Sequence, residues 1–101
     1  MSRRGTLRLR LFVADDAPNS TQARANLAAQ CRDYLPGQCE IEIIDVFKHP
    51  ERALADSVFM TPTLIRVAPA PQRRVVGNLG QARPVLDALG VPMPEPPDAG
   101  S

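Results

Sequence analysis

The sequence predicts an α/β fold, a mixed four-stranded sheet with three helices in the order βαβαββα. Three observations carry this. Segments with an apolar period of two alternate with segments of helical period, the pattern of a crossover unit. The last two strand-like segments are separated only by a short proline turn, which makes them a hairpin. A chain of 101 residues can bury one sizeable core and not two.

The elements follow in order. Leu7, Leu9, Leu11 and Val13 alternate with Arg8, Arg10 and Phe12, a half-buried strand. Residues 15–20 break that pattern with a proline and cap-type residues. Asn19 followed by Gln22 resembles a capping box, with Ser20 as a competing cap. Ala23, Leu27, Cys31 and either Tyr34 or Leu35 then fall at helical spacing, so a helix is expected over about 21–35, stopped by Pro36-Gly37. Ile41, Ile43, Ile44 and Val46 form the second strand, and Glu40 and Glu42 on one face suit an edge or a partly solvated strand. Pro50 fits the first position of a short helix, whose inward residues are expected to be Leu54, Val58 and Ala55. Residues 61–67 read as a strand entered through Pro62, and residues 73–77, centred on Val75 and Val76 and closed by Gly77, as its hairpin partner. The last helix spans about 81–89, with its regular part beginning as late as Pro84. A domain over 1–90 is therefore expected, followed by a Pro-rich, disordered tail over 91–101.

Composition narrows the function. Apolar residues make up 44% and the net charge is +1, so the chain is globular and lacks the basic excess of a nucleic-acid binder. Leu11 to Ala14 is the longest apolar run, far short of a membrane span, and no signal-peptide block follows Met1. The cytosol is the expected location. Cys31 and Cys39 form no Cys-x-x-Cys motif and are read as free thiols. One His and two Cys fit no zinc spacing, and no Gly-rich phosphate loop is present. No cofactor or metal is expected.

The mixed sheet and element order predicted above are the thioredoxin-like architecture. Within it, Leu11-Phe12-Val13-Ala14 leading to Pro18-Asn19-Ser20, then Ile44-Asp45-Val46 with Lys48 and Pro50, then Thr61-Pro62-Thr63-Leu64, Pro69, Pro71, Arg73-Arg74 and Gly77-Asn78-Leu79 resemble the KaiB family of circadian-clock proteins. The resemblance covers about residues 7–89 without a gap. It implies a non-enzymatic regulator that docks on KaiC, a hexameric RecA-type ATPase. In a complete clock it also implies sequestration of KaiA and displacement of the KaiB-like sensor domain of a histidine kinase. It further implies two folds, a self-associating and sometimes tetrameric ground state with a rearranged second half, and a thioredoxin-like state that binds the ATPase. Pro84, Pro92 and Pro94 disfavour the final strand of the former. The thioredoxin-like state, as monomer or dimer, is expected to dominate.

Residue by residue, the resemblance and the chemistry point to a protein-binding surface. Asp45, Lys48, Pro50 and Arg52 form a charged rim around the start of the second helix, and Arg73 and Arg74 stand beside the hairpin turn. Pro62 occupies the position of the cis-proline of thioredoxin-like sheets. The first strand-to-helix turn reads Ala17-Pro18-Asn19-Ser20, so the thiol pair that disulfide exchange needs there is missing. Two functions from different classes remain beside it: a redox enzyme, and a binding module for a histidine kinase. The chain departs from the family at Gln22, Ala25, Glu42 and Ser57, where lysines are common, and at Asn78 and Gly80. The binding face has less positive charge as a result.

Overall fold

The computed structural model describes residues 6–15 and 17–90. The expected tail over 91–101 lies outside the described residues. The elements are β1 (Leu7–Val13), α1 (Pro18–Tyr34), β2 (Cys39–Asp45), α2 (Pro50–Ala55), β3 (Thr63–Ala68), β4 (Arg73–Val76) and α3 (Ala82–Leu89). They form one sheet of order β2-β1-β3-β4. β1 and β2 are parallel, with Leu7 opposite Cys39 and Arg10 opposite Glu42. β3 runs antiparallel to both β1 and β4. This is the mixed sheet that the periodicities predicted.

The alternation of β1 sorts the molecule into two layers. Leu7, Leu9, Leu11 and Val13 face α1 and α3 and pack with Ala23, Leu27, Cys31, Leu35, Leu79, Val85 and Leu89. On the other side Phe12, Ile44 and Ile65 meet Ala53 and Val58. Each large aliphatic or aromatic side chain buried here contributes about 1.5–3 kcal/mol, and the sheet is fixed in register because a one-residue slip would expose all of them. Thr61–Pro62 is cis, as expected, and so are Ala68–Pro69 and Ala70–Pro71. Gly77 takes φ +121 and its N–H donates to the Pro62 carbonyl at 2.9 Å, tying the end of β4 to the entrance of β3. Leu35, rather than the exposed Tyr34, completes the apolar stripe of α1.

Three local expectations are corrected. Neither Asn19 nor Ser20 caps α1: the helix starts at Pro18 behind Ala17 and has no side-chain cap. Proline at the first position needs no donor there, and the buried Ser20 hydroxyl instead accepts the Ala14 N–H at 2.9 Å, closing the β1–α1 turn. Leu54 and Ala55 do not face inward. Leu54 is 72% exposed, and Ala53 with Val58 fills the space under α2. The last helix begins at Ala82, ahead of Pro84, which sits within the first turn where its missing N–H costs nothing. Val85 to Leu89 are helical, as the thioredoxin-like arrangement requires.

Candidate functional site

α2 has six residues and covers only the end of its sheet face where β1 finishes. Asp45 builds the approach to it. The Asp45 carbonyl accepts the N–H groups of Lys48 and His49 at 3.1 and 2.9 Å, and its carboxylate accepts that of Phe47 at 2.9 Å. Pro50 opens the helix. Asp45 and Pro50 therefore shape the loop, while Lys48 and Phe47 are displayed by it, Phe47 at 73% exposure.

Arg52 is not a free rim charge. Its guanidinium donates to Glu42 at 2.9 Å, the same carboxylate oxygen lies 3.4 Å from Arg10 Nε, and Arg10 Nη1 donates to Asp56 at 3.0 Å. The Arg52 hydrogen bond, reinforced by Arg10, holds the Glu42 carboxyl below the ordinary carboxylate range. Arg74 extends the network, donating to the carbonyls of Ser57, at 3.2 Å, and Asp56. It thereby ties β4 to the end of α2. Arg73 points to the opposite face of the sheet, because adjacent strand residues alternate. The structure thus joins Arg52 and Arg74 through Glu42, Arg10 and Asp56, and leaves Arg73 and Lys48 apart from them.

Sequence reasoning missed the apolar part of this surface. Phe59 is 84% exposed and Met60 64%, and with Val58 and Val76 they line a shallow hollow of about 160 Å³ beside Arg74. The available signal was two large apolar residues in succession ahead of Thr61-Pro62, where neither a helix nor a strand buries them. A second, polar groove of about 290 Å³ lies on the sheet face that α2 leaves open, between Arg8, Arg10, Glu40, Glu42 and Val67. Among the described residues no group of His, Cys, Asp and Glu is placed to hold a metal ion. No helix among them is long and apolar enough to cross a membrane. In the turn at 17–20, where a thioredoxin-like sheet would carry its reactive thiols, Pro18 and Asn19 are exposed and Ser20 is buried, at 1% exposure.

Comparison with known proteins agrees with this arrangement. The KaiB domain family matches residues 10–91. The chain is 38% identical over 83 residues to circadian clock protein KaiB3 of Synechocystis sp., covering 82% of this chain and 81% of that protein. It is 39% identical over 89 residues to circadian clock oscillator protein KaiB of Synechococcus elongatus, covering 88% and 87%. Among solved structures, Fasciola hepatica thioredoxin superposes with a TM-score of 0.69 at 18% identity, over 85% of this chain and 80% of that one. The N-terminal domain of Synechococcus elongatus SasA gives 0.66 at 20% identity, over 78% and 75%. Both structures share the fold.

Proposed function

The chain belongs to the KaiB family, and from that premise we propose that it is a non-enzymatic regulator that docks on a KaiC-like hexameric RecA-type ATPase and modulates its ATPase and phosphorylation cycle. The setting is a circadian clock or a reduced timer, inside the cytoplasm. The observation that supports docking best is the surface around α2: Phe47, Leu54, Phe59 and Met60 are all more than 60% exposed. Large apolar residues grouped at a surface rimmed by charge mark a protein interface. Lys48, which pairs with no acidic group among the described residues, supplies rim charge beside this surface, and such charge governs association rate more than affinity; Arg73, on the opposite face of the sheet, lies outside it. Disulfide exchange is not assigned, because Pro18, Asn19 and Ser20 stand where that chemistry needs a nucleophilic thiol.

The test is retention of each KaiC-like ATPase of the same genome on the immobilised chain, with and without ATP. ATP- or phosphorylation-dependent retention that is lost in Leu54→Glu is the expected result. Retention of a histidine kinase and of no ATPase would overturn the assignment, as would binding of neither.

A further inference from the structure

Cys31 and Cys39 approach one another from the two sides of a single apolar cluster. Cys31 lies in the last turn of α1, on its sheet-facing stripe, and is 7% exposed. Cys39 opens β2 directly opposite Leu7, so its side chain shares the α1 face of the sheet with Leu7. Both sulfurs pack into the cluster formed by Leu7, Leu35 and their neighbours. The residues between them fold back tightly: the Leu35 N–H donates to the Cys31 carbonyl at 2.8 Å, that of Gln38 to Leu35 at 3.0 Å, and that of Leu7 to Gln38 at 2.7 Å. Both thiols are free. Burial, with the neighbouring Cys39 thiol, pushes the Cys31 thiol up to about 12.

We propose that Cys31 and Cys39 are a modification site, a dithiol that a small disulfide of the glutathione class converts into an intramolecular disulfide, stapling the end of α1 to the start of the edge strand β2. A disulfide needs side-chain vectors that face each other, and the helix stripe and the strand alternation supply them. Cys39 reacts first, because it is half-buried whereas Cys31 is buried and held as the thiol. Its thiolate attacks one sulfur of the small disulfide, forming a mixed disulfide and expelling one small thiolate. Cys31 then gives its proton to solvent and attacks the Cys39 sulfur, expelling the second small thiolate. Two protein thiols are oxidised and one small disulfide is reduced to two thiols. The staple lies on the α1 side of the sheet, so the proposal stands apart from the surface around α2.

The experiment treats the folded full chain with oxidised glutathione, quenches with acid, and reads intact mass and a peptide map. The expected product is a monomer lighter by two hydrogens with the Cys31 and Cys39 peptides joined, while Cys31→Ser stops at a glutathione adduct on Cys39. A wild-type chain that stops at the mixed disulfide, pairs only between two chains, or keeps both thiols overturns the proposal. The same reaction in urea is expected to close the bond more slowly. Equal rates in the folded and unfolded chain would show that the fold does not bring the thiols together, and would overturn it as well.

Discussion

The loop between β4 and α3 is held by a ladder of amides on α1, and Gln30 is its buried rung. Gln30 Nε2 donates to the Leu79 carbonyl at 2.8 Å, one turn beyond Asn26, whose Nδ2 donates to the Asn78 carbonyl at the same distance. Leu79 is 4% exposed and sits at φ +62, a conformation that costs a non-glycine residue about 1–2 kcal/mol. Its burial and its carbonyl bond hold it there. In Gln30→Met the stem volume is kept and the donor is lost, which leaves a buried carbonyl unpaired at a cost of about 1–3 kcal/mol. Gln30 Oε1 is itself buried without a partner among the described residues, and removing it returns part of that cost. A net loss of about 1–2 kcal/mol follows, and for a domain of this size each kcal/mol lowers Tm by about 4–8 °C. Urea and thermal unfolding measure it. Amide exchange in α3 is expected to accelerate more than in β1, because the ladder anchors α3 and not the central strand. A Gln30→Met chain within about 0.5 kcal/mol of the wild type, with α3 exchange unchanged, would refute the view that this amide positions the loop.

Asn26→Ala, losing the half-buried rung, is expected to cost about 1 kcal/mol, and the pair Asn26→Ala with Gln30→Met to depart from additivity by at least about 0.5 kcal/mol in a urea double-mutant cycle, since both bonds hold one loop. Glu42→Gln tests the charge network by pH. The native Glu42 carboxyl lies below its ordinary range, so its stabilisation is complete above the unfolded carboxylate pKa and disappears as pH falls through the native one. The wild type should therefore exceed Glu42→Gln in stability at neutral pH, with the gap closing in acid, and a gap constant with pH would contradict the pairing. Phe59→Ser with Met60→Ser should leave stability within about 0.5 kcal/mol, as exposed positions do, while weakening retention of the ATPase. Equal retention by wild type and variant would remove that hollow from the docking surface.

The strands were legible because their signal is local. Leu7 to Val13 alternate whatever the rest of the chain does, and the acidic residues of β2 suit the edge it occupies. The helix starts were less so. Asn19 and Ser20 have the chemistry of caps, but the turn after β1 needs the Ser20 hydroxyl for the Ala14 N–H, and Pro18 starts the helix without help. α2 was misread because six residues express too little period to choose between Ala53 and Leu54. At the site, Lys48, Pro50 and Arg52 could be placed on a common loop and helix from sequence. The partners of Arg74 could not, because they are backbone carbonyls and leave no trace in the residue types. The link from Arg52 to Arg10 depends on the parallel register of β1 and β2, which periodicity alone does not set.

That register also changes the meaning of Glu42, where the resemblance implies a lysine. α1 and α3 cover one face of the sheet except at the β2 edge, where Ile41 and Ile43 stay exposed, whereas the short α2 leaves much of the other face open. Strand residues that reach water there must be polar, and the ladder places Arg8 opposite Glu40 and Arg10 opposite Glu42. Opposite charges in directly facing positions stabilise a sheet and like charges destabilise it. Arg10, Arg52 and Glu42 are thus one internal solution to an uncovered face, and a lysine at 42 would confront two guanidiniums. A Glu42→Lys chain loses its own network before it gains anything for a partner. The binding contribution of positive charge is better tested at Ala25, which is exposed on α1 and takes part in no such pairing: there Ala25→Lys is expected to leave stability within about 0.5 kcal/mol and to raise the association rate with an acidic docking surface, an increase that added salt suppresses.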